Sequence, residues 1–128
     1  MFWFFFISRK DDDLLEALKT HNKVKFINYF KYYEDASKFI EDNLSNPKIV
    51  GVGEIGLDYY WTKDNIEKQK EVLIKQLNIA EKYNKAVVIH SRDSIQDTYD
   101  ILKKYKLKGT IHCFSSSLDM AREFIKLS

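Results

Sequence analysis

Three short apolar runs, each closing on a side chain that can bind a metal and each followed by a helix-length segment, restrict this chain more than any other feature. Ile49-Val-Gly-Val52 delivers Glu54, Ala86-Val-Val-Ile89 delivers His90, and Gly109-Thr-Ile111 delivers His112. Apolar runs of this length between turn-forming residues read as buried strands. Pro47 bounds the first on one side and Gly51, Gly53 and Gly56 on the other. Strands joined by helix-length crossovers pair in parallel with right-handed connections. Functional groups then gather at the carboxyl ends of the strands, on one open face of a sheet or barrel.

The remaining segments repeat the plan. Phe2-Trp-Phe-Phe-Phe-Ile7 reads as an earlier strand, and Leu14, Leu15 and Leu18 recur at helical spacing behind Asp11-Asp-Asp13, whose charges suit the positive end of a helix. Val24 to Phe30 reads as a second strand and Tyr33 to Leu44 as a helix with Tyr33, Ala36, Ile40 and Leu44 on one face. Ile66 to Tyr83 is the longest predicted helix, with Ile66, Leu73, Leu77 and Ala80 in a stripe and Asp64 or Asn65 as its cap. A helix from Ser94 to Lys104 is expected to turn Ile95, Tyr99 and Leu102 inward. The last helix, capped by Ser116 or Ser117, is expected to bury Leu118, Ala121 and Ile125. The expected fold is therefore α/β: one domain over residues 1–128 of about five parallel β-α units, either an open sheet or a partial TIM-barrel-like sheet.

Composition narrows the function. The 128 residues carry 21 basic and 19 acidic side chains, a net charge of +2, which argues against a polycation that binds nucleic acid by charge alone. Six apolar residues at Phe2–Ile7 fall far short of the roughly 20 that span a bilayer. They also lack the basic start and small-residue cleavage site of a secretory signal. One cysteine, Cys113, makes no internal disulfide, and the expected setting is cytoplasmic with no membrane partner.

Glu54, His90 and His112 come from separate strands, with spacings of β-α units rather than of a zinc finger. Two neutral imidazoles and a carboxylate suit a divalent cation, which lowers the pKa of water. Taken singly, each residue has an ordinary reading: a solvated glutamate, or a histidine hydrogen-bonded within the fold. Their recurrence at equivalent strand ends favours a shared site. Arg92 is read as a phosphate fork or a solvated loop residue. Asp58 is read as a carboxylate orienting a ligand histidine, or as a turn residue. Cys113 alternates with His112 and reads as a small buried hydrophobe, and His21 as an ordinary helix-terminal residue. Tyr59, Tyr60 and Trp61 read as base-stacking aromatics or as packing over the mouth of the sheet.

Gly53-Glu-Ile-Gly-Leu-Asp-Tyr-Tyr60, Val88-Ile-His-Ser-Arg-Asp93 and Ile111-His-Cys-Phe-Ser115, in this order, closely resemble the TatD family of metal-dependent hydrolases and deoxyribonucleases. The resemblance runs from about residue 45 to 128 and takes in Gln69–Tyr83. It implies a (β/α)₈ barrel in which two divalent ions activate water against a phosphodiester of DNA. Mg²⁺ is the first expectation for the metal, with Mn²⁺ and Zn²⁺ as alternatives. By matching position, Glu54 would bridge the ions and act in catalysis, while His90 and His112 would bind one of them. The family's opening strand carries a His-x-His pair, which this chain does not contain; Asn28-Tyr29-Phe30 stands where members have a Gly-x-His-Pro turn. The motifs align the chain with the second through sixth barrel strands, so the last-strand aspartate is expected beyond Ser128.

The leading expectation is a phosphodiesterase acting on DNA, with this chain as a fragment of the barrel. A second reading is a non-catalytic remnant that binds one metal or a partner chain and self-associates through exposed sheet edges. A third is a small-molecule metal hydrolase of the same barrel type.

Overall fold

Gly-bounded apolar runs and periodic helices assemble here into an α/β sheet, seen in a computed structural model that describes residues 5–7, 33–60 and 63–127. Strand β1 is Phe5–Ile7, helix α1 Tyr33–Asn43, β2 Ile49–Asp58, α2 Ile66–Lys82, β3 Ala86–Arg92, α3 Ile95–Leu102, β4 Gly109–Ile111 and α4 Leu118–Ile125. The strand order is β1-β2-β3-β4. The predicted strand Val24–Phe30, the helix around Leu14–Leu18, His21 and Trp61 lie outside the described residues.

β2, β3 and β4 pair in parallel, as their helical crossovers require. β1 does not follow that expectation. It runs antiparallel to β2, with Phe5 opposite Val52 and Ile7 opposite Ile49. The segment between β1 and β2 is long enough to return in either direction, so the crossover argument does not govern this pair.

Strand β2 also runs further than its apolar run suggests, continuing past Glu54 to Asp58. Between Val52 and Ile55 the strand advances three residues while β3 advances two, from Val87 to Ile89. That extra residue is a β-bulge, a device that re-aims one side chain without ending the strand. The Gly53–Glu54 peptide bond within it is cis. The glycines serve a close approach of β2 to β3 rather than a turn. A Cβ on Gly53 would come within 2.7 Å of Val88 Cβ, and one on Gly56, whose φ is 154°, would collide with the His90 carbonyl oxygen.

The core lies between the sheet and helices α1 and α2. Ile40, Leu44, Ile49, Val52, Ile55, Leu57, Leu73, Leu77 and Ile89 are all essentially sealed from solvent. Burying side chains of this size stabilises by roughly 1.5–3 kcal/mol each before the entropy of ordering is set against it. The predicted stripe on α2 is correct for Leu73, Leu77 and Ala80, and it also buries Gln69 and Gln76.

The two later helices depart from their predicted faces. α3 buries Thr98 and Ile101, leaving Ile95, Tyr99 and Leu102 only partly covered. A hydroxyl network explains the rotation: Ser91 Oγ lies 3.0 Å from both Ser94 Oγ and Thr98 Oγ1, and Ser94 donates to the Leu57 carbonyl. On α4 no residue is fully buried, and Leu118 and Ile125 are exposed. Periodicity locates an apolar stripe but not whether a neighbour arrives to cover it. No helix among the described residues is long and apolar enough to cross a membrane.

Candidate functional site

The bulge in β2 turns Glu54 toward the ends of β3 and β4. Its Oε1 lies 2.9 Å from His112 Nδ1 and 3.4 Å from His90 Nδ1. His90 belongs to β3. His112 follows β4 by one residue, and its backbone N–H donates to the Ile89 carbonyl at 2.8 Å, which ties it to β3. The three side chains expected to converge therefore do so around one carboxylate oxygen.

Asp58, at the end of β2, completes the arrangement. Its Oδ2 lies 2.9 Å from His90 Nε2. A neutral imidazole that gives its Nε2–H to Asp58 leaves Nδ1 as a lone pair facing Glu54 Oε1. Two acceptors facing each other at 3.4 Å are the arrangement a cation satisfies. Two donors bound about 2.1 Å from one divalent ion stand roughly 3.0–3.4 Å apart at bond angles of 90–109°. The Glu54 pairs fit that spacing, and carboxylate with imidazole suits a divalent ion in kind.

The fit is pairwise. Among the described residues no group of three or more His, Cys, Asp or Glu side chains is arranged to hold one ion together. Glu54 Oε1 contacts the rings directly, and a ring nitrogen hydrogen-bonded to that oxygen cannot offer the same lone pair to an ion.

The other predicted residues fall nearby or elsewhere. Arg92 lays its guanidinium 3.7 Å from the Tyr60 ring centroid, a cation–π contact. It lines a polar cleft of about 600 Å³ with Ser91, Asp93, Gln96, Ser115 and Ser116. Tyr59 is not an open stacking surface. It is buried and donates to Asp97 Oδ2 at 2.7 Å, and Asp97 also meets Lys70 at 2.9 Å. Burial first, then that bond, pushes the Tyr59 hydroxyl up, while the Tyr59 and Lys70 bonds hold the Asp97 carboxyl below its ordinary value. Cys113 is exposed, contrary to the buried reading, because β4 ends at Ile111 and strand alternation stops with it. Its φ is 47° and its Sγ lies 3.3 Å from His112 Nε2.

Gln69 escaped sequence reasoning. It sits in the buried stripe of α2 yet is hydrogen-bonded to the Asp58 backbone. A glutamine at an apolar helical position was the available signal.

The chain is 37% identical over 98 residues to "Uncharacterized metal-dependent hydrolase YabD" of Bacillus subtilis, covering 74% of this chain and 38% of that protein. It is 36% identical over 96 residues to "Putative deoxyribonuclease TATDN1 homolog" of Vairimorpha ceranae, covering 73% and 35%. The crystal structure of YjjV, a TatD homologue from Escherichia coli, superposes with a TM-score of 0.67 at 34% identity over 73% of this chain and 38% of that one. The chain thus spans less than two fifths of the length of these relatives. The TatD homologue of that structure has a TIM-barrel fold; residues 11–128 match the family described as TatD related DNase, and the chain belongs to that family of metal-dependent hydrolases.

Proposed function

We propose that this chain carries part of the active site of a metal-dependent hydrolase that cleaves phosphodiester bonds of DNA. The observation that carries the reading is the approach of Glu54 Oε1 to both His112 Nδ1 and His90 Nδ1, at 2.9 and 3.4 Å. Relatives named metal-dependent hydrolase and deoxyribonuclease support it.

Glu54 paired with His90, or with His112, would hold a divalent ion, Mg²⁺ first, with Mn²⁺ or Zn²⁺ as alternatives. Such an ion, when bound, supplies Lewis acidity toward water and a phosphoryl oxygen. The residues do the rest. Glu54 lies in the β2 bulge between Val52 and Ile55, both paired with β3, and the bulge directs its carboxylate. Asp58 accepts the His90 Nε2 proton, sets the ring's tautomer and raises the basicity of Nδ1. Arg92 offers a planar cation to a phosphate in the cleft, held by the Tyr60 ring against reorientation.

Cleavage of single-stranded DNA, measured beside hydrolysis of a simple phosphate ester with Mg²⁺, Mn²⁺ or Zn²⁺, tests the proposal. Metal-dependent DNA cleavage that falls by at least about 10²-fold in a folded Glu54→Gln variant supports it. Hydrolysis of the ester alone points to a small-molecule hydrolase. No metal-dependent turnover in the parent points to a non-catalytic protein.

A further inference from the structure

We propose that Gln69 is a positioning residue, holding Asp58 so that His90 keeps its Nε2–H on Asp58 and its Nδ1 bare toward Glu54. Gln69 is 4% exposed, on the first turns of α2. Its Oε1 accepts from the Asp58 N–H at 2.8 Å, and its Nε2 donates to the Asp58 carbonyl at 2.9 Å and to Asn65 Oδ1 at 2.7 Å. An amide bonded to both backbone groups of one residue acts as a strand partner would. Among the described residues, β1 pairs with β2 as far as Val52. On the β3 side, Tyr59 N–H donates to the Arg92 carbonyl, so the neighbouring Asp58 groups face the opposite way. Gln69 fills that side.

The Asp58 carboxylate is constrained as well. Oδ1 accepts from the Tyr60 N–H at 3.0 Å, and Oδ2 meets His90 Nε2 at 2.9 Å. All the polar groups of Asp58 are thus held, and the chain Asn65–Gln69–Asp58–His90 ends at Glu54. Reversing the Gln69 amide would set donor against donor and acceptor against acceptor, so its orientation is unique. The relay stands on geometry alone; its use in holding a cation rests on the function proposed above.

Two variants separate the relay from simple packing. Gln69→Met keeps length and apolar contact but loses the bonds, and Gln69→Glu keeps the acceptor for the Asp58 N–H but loses the donor. Long-range ¹H–¹⁵N correlation of histidine-labelled protein reads which His90 nitrogen carries the proton, and Zn²⁺ titration reads affinity. The parent should show one Nε2–H pattern. Gln69→Met should show a mixture of tautomers and Zn²⁺ binding weakened about tenfold, Gln69→Glu a smaller change, and His112 none in either. A folded Gln69→Met with the parent's His90 pattern overturns the proposal, as does a His112 change as large as that of His90. If the parent binds no Zn²⁺, the metal reading fails while the ring pattern still decides on Gln69. If neither variant folds, exchange of the Gln69 side-chain amide in the parent decides: slow exchange supports the relay and fast exchange overturns it.

Discussion

The β2–β3 pair and the β4–α4 end are built from similar sequence and covered very differently. β2 lies between two strands and under α2, and Glu54 is 14% exposed. β4 is three residues long at the sheet edge, α4 buries nothing fully, and His112 is 57% exposed. An apolar groove of about 420 Å³ lined by Val87, Ile111, Phe114, Ala121 and Phe124 lies between them. The difference teaches that the candidate site has a rigid side and a loose one. Asp58 and His90 are set by strand pairing and part-buried hydrogen bonds and Glu54 by the bulge between paired residues, whereas His112 rests on a backbone bond to Ile89 and on side-chain contacts with Glu54 and Cys113.

The comparison breaks if truncations on the two sides cost the same. Leu73→Ala should destabilise by about 2–5 kcal/mol and Ile125→Ala by less than about 0.5 kcal/mol, read from urea midpoints at constant slope. Gly56→Ala sharpens it, because the added methyl meets the His90 carbonyl and forces β2 from β3. A loss of about 1–3 kcal/mol is expected, with a shift of the His90 ring resonances larger than that of His112. Asp97→Asn tests the anchor between the end of β2 and α3, and should cost about 1–2 kcal/mol at neutral pH. Asp97's carboxyl is held below its ordinary value, so its contribution is present above about pH 4 and lost as pH falls through the lowered value. Acid titration of the variant should show a shallower loss of stability there. The smallest effect belongs to His112→Ala, which should leave the urea midpoint within about 0.5 kcal/mol of the parent while weakening Zn²⁺ binding. A large drop in stability would place His112 on the rigid side.

Much of the site was legible because it is written at strand ends. Glu54, His90 and His112 each follow an apolar run, and period and position alone predict a common rim. Asp58 was legible as an orienting carboxylate for the same reason, four residues along from Glu54. Arg92 was legible only as an arginine near the rim; its rest on Tyr60 depends on two loops meeting. Gln69 was missed, and Tyr59 was left open between stacking and packing, because a polar atom among apolar neighbours declares its partner only when the opposing element is known.

By itself the sequence determined the alternation of strands and helices, the parallel pairing of β2, β3 and β4, and which chemical groups reach the rim. These follow from local periodicity and from the reach of a helical crossover. Only the tertiary structure decided the reversed direction of β1, the bulge that aims Glu54, the rotation of α3 toward its hydroxyl network, and the exposure of α4 and Cys113. Each depends on which distant segment arrives to satisfy a backbone group or cover an apolar face, and no local pattern encodes that arrival.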